Sequence, residues 1–392
     1  MDLHTQLPWL PPGYQPLLNK TIEVLRSDNR VRAAWIHGSV ARGDADEVSD
    51  LDVIIAVDDD EIDGFGEGWM ERLRAITPTV MARASFGRSG SWLSITPEAL
   101  RLDLWVESTS QVANSAVHDR RLLFDRDQLD TLVPPPDASP STSFVKLDEL
   151  RAWAGACRSL QPNAQGLLRL ECVHTLRWIL YMAMIEMNRP LPTTGLKQWS
   201  AKLTREQRSL FEDLPTDEPE PVWALLDDVL GPITATVAQP SLERILVAPE
   251  GYIRGMYLPH VAPEVQLRHL SEEFLALYLY LTVILRRADW LLGVEGIYSL
   301  RRLLHEFFLV ENGRPHADDA VAWENRLNPS KQKVILGLPT GKASRDAVIR
   351  DYFAIKHVFD EIARRKLGDQ YPSDLERTVE TSVEKELTEE PD

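Results

Sequence analysis

Residues 35–57 read WIHGSVARGDADEVSDLDVIIAV, two apolar runs joined by a polar segment. The first run ends at Gly38-Ser39, and the second opens with Asp50-Leu-Asp52. Alternate residues of a β-strand point to one face, so Asp50 and Asp52 are expected to project together. Two adjacent carboxylates repel each other unless a cation lies between them. The segment therefore predicts a strand end that carries a metal site.

The residues around this strand end predict a phosphate site beside the metal. Oxygen ligands suit Mg²⁺, which keeps several waters and bridges to substrate phosphates. Gly38 lets the backbone approach a ligand closely. Ser39 and the start of the following helix offer a hydroxyl and free N–H groups to an anion.

A third carboxylate follows in residues 101–106, which read RLDLWV. Asp103 lies between Leu102 and Leu104 in a run that otherwise predicts a buried strand. An unpaired buried charge is costly, so Asp103 needs a partner. A metal ion shared with the Asp50-Leu-Asp52 segment would be that partner.

Together, Gly38-Ser39, the Ala41-Arg42-Gly43 turn, Ser49-Asp50-Leu-Asp52 and Asp103 resemble the signature of the nucleotidyltransferase superfamily. The likeness is greatest to its small bacterial antibiotic and minimal nucleotidyltransferases. The resemblance implies that Asp50, Asp52 and Asp103 hold two Mg²⁺ ions and that ATP is the nucleotide donor. It also implies that Gly38 and Ser39 hold the β- and γ-phosphates.

Two roles stay open at this point. Asp103 either completes the metal site or takes the proton of the acceptor hydroxyl. Antibiotic adenylyltransferases often carry Glu at this third position, and the shorter Asp favours metal ligation. Arg42 is the nearest cation to the predicted phosphates, but it could equally be a surface residue.

Composition limits the partners and the location. The chain has 392 residues, 44% of them hydrophobic, and a formal net charge of −17. Nucleic-acid affinity comes largely from Lys and Arg, so we expect a cationic small molecule rather than nucleic acid as partner. Two cysteines, Cys157 and Cys172, do not make a disulfide framework. The N-terminus has no signal pattern and no apolar run is long enough to span a bilayer, so a cytoplasmic protein without membrane contact is predicted.

Apolar patterning predicts an α+β chain, in which a small domain with a mixed sheet precedes an all-α region. Strands are predicted at Val31–His37, Leu51–Val57, 79–86, 92–96, 100–106 and 122–124, and helices at 16–26 and 67–76. The predicted domains are the nucleotidyltransferase domain 1–130, a Pro/Ser linker 131–143, helical subdomains 144–260 and 261–370, and a frayed acidic tail 371–392.

The two helical subdomains are predicted because the sequence repeats at a shift of 124 residues (295 − 171). Self-similarity at a fixed period indicates a duplicated structural unit. The matching pairs include Glu171 with Glu295, Leu176-Arg177 with Leu300-Arg301, Asn188 with Asn312, Trp199 with Trp323, Leu203 with Leu327, and Leu214-Pro-Thr216 with Leu338-Pro-Thr340.

The first repeat has a resemblance of its own. Glu171-x-Val173-x-Thr-Leu-Arg177, followed by Trp199 and Leu203, resembles the C-terminal helical domain of streptomycin/spectinomycin-type adenylyltransferases. Lincosamide nucleotidyltransferases have similar domains. In that family this domain helps to hold nucleotide and antibiotic. The second repeat exceeds the family pattern.

Two helical features have alternative interpretations. Glu171, His174 and Thr175 share one helix face, which could meet the nucleotide or a cationic acceptor, or could form an interhelix salt-bridge network. Trp199 and Trp323 are interpreted as packing anchors.

The leading functional hypothesis is transfer of AMP from ATP to a hydroxyl of a small cationic molecule such as an aminoglycoside or a lincosamide. The alternatives are nucleotidylation of a protein or a tRNA, for which Arg286-Arg287 and Arg301-Arg302 could line a basic groove, and a non-catalytic nucleotide-binding module. Three mutually repelling carboxylates argue against the last. The oligomeric state is not predicted.

Overall fold

The computed structural model of the chain divides into two compact units. The first comprises residues 1–138 and 374–388, and the second comprises residues 139–373 and 389–392. The structure describes residues 7, 9–11, 13–86, 90–115, 117, 119–135, 147–160, 166–191, 197–234, 262–313 and 327–389. The predicted linker 131–143 lies partly outside these residues.

The first unit is built on a six-stranded mixed sheet. Its strands are β1 Val31–His37, β2 Leu51–Val57, β3 Met81–Phe86, β4 Gly90–Ile95, β5 Arg101–Ser108 and β6 Arg121–Asp125. They lie in the order β3-β4-β5-β2-β1-β6. Only the β2–β5 pair among these strands is parallel, and the others are antiparallel. The prediction of a mixed-sheet domain is confirmed, and β1 and β2 have the predicted bounds.

Alternation along the strands gives the sheet two faces. One face carries an apolar core that includes Ile36, Val53 and Leu104. Helices α1 Tyr14–Ser27, α2 Gly38–Arg42, α3 Ile62–Glu67 and α4 Trp69–Ile76 belong to this unit. The opposite face buries a smaller cluster around Trp35 and Ile54. Asp52 and Asp103 directly precede Val53 and Leu104, whose side chains lie in the first core. Successive side chains of a strand point to opposite faces, so Asp52 and Asp103 point to the second face.

The second unit is entirely helical in its described residues, as predicted. Helix α6, Gly166–Met187, carries apolar residues around most of its circumference and therefore buries most of its side chains. The helices of this unit are α5 Leu147–Leu160, α6 Gly166–Met187, α7 Arg205–Asp213, α8 Pro219–Leu230, α9 Pro263–Arg287, α10 Trp290–Glu311, α11 Pro329–Leu336 and α12 Arg345–Leu367. The predicted subdomain bounds, 144–260 and 261–370, stay a prediction.

The polar face of α6 joins an interhelix network within this unit. His174 Nε2 lies 3.4 Å from Oε2 of Glu295 on α10, and its ring meets Tyr298 edge-on with centroids 4.3 Å apart. Burial, followed by the nearby arginine charges, lowers the pKa of His174 to about 3, so its imidazole is neutral at physiological pH. These contacts favour an interhelix network over the ligand interpretation of this face, although the contact between the neutral His174 and Glu295 is not a salt bridge.

Trp199 stacks on Tyr181 with ring centroids 4.7 Å apart, which favours the interpretation that it is a packing residue. Trp323, its counterpart at the 124-residue shift (323 − 199), lies outside the described residues. Cys157 and Cys172 are buried and free. Among the described helices, none is long and apolar enough to cross a bilayer.

The prediction of a frayed acidic tail was wrong. Residues Ser373–Thr388 form helix α13, which buries Leu375, Val379 and Val383 on one side. These positions are four residues apart, so they form a stripe that composition alone does not reveal. Thr378 Oγ1 donates to the carbonyl oxygen of Pro97 at 3.5 Å, and the helix clusters with the sheet unit.

Candidate active site

The three predicted carboxylates lie together at one end of β2 and β5. Asp52 and Asp103 are direct partners in the parallel β2–β5 register, and Asp50 immediately precedes β2. One carboxylate oxygen of each residue lies within 4.8 Å of the others. A cluster of carboxylate oxygens at this spacing could hold a metal ion.

The electrostatics of the cluster reflect burial and mutual repulsion. Asp103 is only 6% exposed. Burial first, and the charge of Asp50 second, raise the pKa of Asp103 to about 8. Burial and the charges of Asp50 and Asp103 also raise the pKa of Asp52. Without a cation, the cluster therefore retains protons at neutral pH.

Arg101 partly offsets this negative charge. Its Nη1 lies 3.8 Å from Oδ2 of Asp50, and its Nη2 donates to the carbonyl oxygen of Val48 at 2.6 Å. The backbone N–H of Arg101 donates to the Tyr14 hydroxyl at 3.1 Å. Sequence reasoning missed Arg101, although its position two residues before Asp103 places it on the same face of β5.

Gly38 lies directly against the cluster. Its φ of +69° is a conformation that favours glycine, and a Cβ built there would collide with Oδ2 of Asp52. Ser39 follows it in the short helix α2, which ends at Arg42 and is followed by Gly43 with φ +81°. The absence of a Cβ at position 38 therefore leaves room for the carboxylate of Asp52.

The turn before Asp50 is closed by side-chain hydrogen bonds. Ser49 is buried, and its Oγ donates to Oδ1 of Asp46 at 2.7 Å. The same Oγ accepts from the Asp46 N–H at 2.9 Å. These bonds fix the chain just before the first carboxylate, which explains why a Ser is suitable at position 49.

Arg42 is already paired. Its Nη1 lies 2.6 Å from Oδ2 of Asp119, and its Nε lies 3.5 Å from Oδ1 of Asp44. A contact between Arg42 and a phosphate stays a prediction. Asp119 was not anticipated, because it lies 77 residues from Arg42 in the sequence and no local pattern marks it.

Residues 19–77 match the family model Polymerase beta, Nucleotidyltransferase. The matched segment contains Gly38, Ser39, Asp50 and Asp52, so the strand end lies in the part of the chain that is similar to this family. Asp103 lies beyond the match and joins the cluster through the sheet register. No curated protein matches the chain.

The affinity for Mg²⁺ is expected to rise with pH, at least up to about pH 8. The raised pKa of Asp103 means that metal binding must release a proton below that value. Where one proton is released, the affinity increases about tenfold per pH unit. Titration calorimetry between pH 6 and pH 9, in buffers of different ionisation enthalpy, measures affinity and proton release together. A pH-independent affinity without proton release would contradict the protonated cluster.

Proposed function

We propose that the protein is a metal-dependent nucleotidyltransferase that transfers AMP from ATP to a hydroxyl of a small molecule, such as an aminoglycoside or a lincosamide. The observation that carries the proposal is the clustering of Asp50, Asp52 and Asp103 within 4.8 Å at the strand end of a nucleotidyltransferase domain. Maintaining three repelling charges in one place is costly unless the cluster binds a cation.

The carboxylates fit Mg²⁺ in their chemistry. The donors are all oxygens. Burial, followed by the charges of the neighbouring carboxylates, raises the pKa values of Asp52 and Asp103, so a bound cation would favour their charged forms. Asp50, Asp52 and Asp103 would hold the proposed two ions. When bound, such ions neutralise the triphosphate and stabilise charge on the attacking and leaving oxygens.

The chain's own residues would then bind and orient the reactants. Gly38 and Ser39 would hold the β- and γ-phosphates. The acceptor oxygen forms a bond to the α-phosphorus, and the bond between that phosphorus and the bridging oxygen breaks, so pyrophosphate leaves with the electron pair. A carboxylate has two oxygens, so Asp103 can ligate through one and accept the hydroxyl proton at the other.

Charge supports a small cationic acceptor over tRNA. The net charge is −17, and the arginines that could have lined a basic groove are engaged within the helical unit. Arg301 is buried and donates to the carbonyl oxygens of Pro339 and Ile335, both at 3.3 Å. Arg286 lies 2.5 Å from Glu389, and Arg302 lies 3.4 Å from Glu306.

We also propose that the helical unit is a duplication. Helices α6 and α10 have 22 residues each and begin 124 positions apart (290 − 166). Arg177 donates to the Pro215 carbonyl, as Arg301 does to that of Pro339, again 124 positions on. Thr216 Oγ1 donates to Thr340 Oγ1 at 3.0 Å. Contacts between equivalent positions are expected where two copies meet about a two-fold axis.

Pyrophosphate release from ATP, with and without Mg²⁺, tests the proposed activity. We expect release in the presence of an aminoglycoside or a lincosamide from a panel, and its loss in Asp52→Asn. The matched control is Asp60→Asn, which removes an exposed carboxylate of the same unit and should leave the rate unchanged.

Each outcome has a definite meaning. Release by Asp52→Asn at the unaltered rate would refute the metal assignment. If MgATP raises the melting temperature but no antibiotic supports release, the small-molecule acceptor is refuted and a protein or tRNA acceptor takes its place. If MgATP has no effect on melting and no pyrophosphate is released, nucleotidyl transfer itself is refuted.

A further inference from the structure

A tryptophan lies exposed beside the carboxylate cluster. Trp105 follows Asp103 by two residues on β5, so the two side chains point to the same face of the sheet. The Trp105 side chain is 46% exposed. Its neighbours on this face, Ile54 and Trp35, are almost completely buried. A large exposed indole next to clustered carboxylates is a feature that burial alone does not explain.

The Trp105 ring is supported from one side. His37, at the end of β1, meets it edge-on, with ring centroids 6.4 Å apart and an interplanar angle of 81°. Aromatic pairs prefer this arrangement, so the contact helps to hold the indole in place. His37 Nε2 is buried and has no hydrogen-bond partner among the described residues. The wall formed by His37 and Trp105 therefore combines an exposed ring with an unsatisfied polar atom.

The order of the strands indicates whether this wall faces the nucleotide or the acceptor, and this step rests on the proposed function. Gly38 and Ser39, which would hold the leaving pyrophosphate, follow β1. Asp52 is on β2 and Asp103 is on β5, and β2 lies between β1 and β5 in the sheet. In an in-line displacement the attacking oxygen enters opposite the leaving group. The acceptor is then expected to approach from the β5 side, next to Asp103, and the Trp105 indole, which extends from β5 to within contact of His37, borders this approach.

We propose that Trp105 determines acceptor specificity by packing its indole against a ring of the acceptor that carries the attacking hydroxyl. The substrate class is thus a hydroxylated ring with a face flat enough to cover the indole. An acyclic alcohol would lack this contact. The nucleotide, held through its phosphates at the β1 side, would not depend on Trp105.

The test compares Trp105→Ala and Trp105→Phe with Leu132→Ala, which removes another exposed apolar side chain of the same unit. The probes are streptomycin, spectinomycin and lincomycin, each titrated against protein loaded with Mg²⁺ and α,β-methylene-ATP. For a probe that binds, we expect Trp105→Ala to weaken binding about tenfold, and Trp105→Phe to weaken it at most about threefold. The affinity for the nucleotide should stay within about twofold in all three variants.

Circular dichroism and melting curves check that the variants fold. We expect that they do, because the side chains of Trp105 and Leu132 are both exposed. Equal probe affinity in Trp105→Ala and the parent protein would overturn the proposal. So would weaker nucleotide binding in Trp105→Ala, because Trp105 would then face the nucleotide. Binding of MgATP without binding of any ring probe would overturn the ring platform and leave nucleotidyl transfer standing. Failure to bind MgATP at all would instead overturn the proposed function.

Discussion

Replacing Asp103 with Asn is expected to abolish transfer and, at the same time, to stabilise the metal-free protein. The substitution retains the shape of the side chain and replaces a buried carboxyl group whose pKa is raised to about 8 with a group that does not ionise. A lost metal ligand costs several kcal/mol of transition-state stabilisation, so the rate should fall about a thousandfold or more. Folding of the metal-free parent keeps Asp103 protonated well above the ordinary pKa of the group, and Asn removes this cost. The melting temperature in EDTA should therefore rise, by about 2–4 °C for each kcal/mol gained.

The pH dependence of this effect has a definite sign. In the unfolded chain Asp103 titrates near its ordinary value of 3.8, whereas in the folded, metal-free protein it retains its proton up to about pH 8. Between these values only the folded state binds this proton. Its contribution therefore makes the folded state less stable as pH rises through this window. Asp103→Asn lacks this titration, so its stability advantage in EDTA should increase from pH 5 to pH 8.

Calorimetric melting with EDTA and with Mg²⁺ measures both parts of the prediction. Mg²⁺ should raise the melting temperature of the parent protein more than that of Asp103→Asn. Asp60→Asn is the matched control, since it changes an exposed carboxylate of the same unit and should show the parent's response to Mg²⁺. A lower melting temperature for Asp103→Asn in EDTA, together with the parent's response to Mg²⁺, would contradict both the raised pKa of Asp103 and its role as a metal ligand.

Gly38→Ala is expected to cause the second large effect. The new methyl group would collide with Oδ2 of Asp52, and alanine is disfavoured at a φ of +69°. The collision forces either the Asp52 carboxylate or the strand end to move. A displacement of about 1 Å in a catalytic group can reduce a rate about a hundredfold. The strained backbone should also cost about 1–2 kcal/mol of the free energy of unfolding.

Gly64→Ala is the control for this substitution. Gly64 lies in α3, and a Cβ added there would have no neighbour within 4 Å. Alanine favours a helix by up to about 1 kcal/mol relative to glycine, so this variant should be as stable as the parent or more so. The readouts are urea unfolding and the rate of Mg²⁺-dependent pyrophosphate release. Full activity in Gly38→Ala would mean that the position of Asp52 relative to Gly38 does not matter for turnover.

The elements of the sheet could be predicted because their signals are local. The apolar runs 31–37 and 51–57 contain their own strand periodicity, and the structure places β1 and β2 within those bounds. The Asp50-Leu-Asp52 spacing predicted a shared direction for two carboxylates, and Asp103 was found because a charge inside an apolar strand needs a partner. The short helix α2 was anticipated only as a helix start after Gly38-Ser39.

Other features could not be predicted, because they depend on contacts between distant residues. Pairing of Asp52 with Asp103 requires β2 and β5 to be parallel neighbours. In the chain, however, helices α3 and α4 and strands β3 and β4 lie between these two strands. The Arg42–Asp119 ion pair and the exposure of Trp105 likewise follow from how the strands assemble. The tail was mistaken for a frayed segment because an acidic composition hid an apolar stripe.

The sequence by itself determined the α+β class, the positions of the principal strands and the three carboxylates, since periodicity and the cost of buried charge act on neighbouring residues. Only the tertiary structure decided that these carboxylates lie within 4.8 Å of one another, that Gly38 is pressed against Asp52 and that Trp105 lies exposed beside them. The physical reason is that strand order and register are chosen by the packing of the whole sheet, which no short segment encodes.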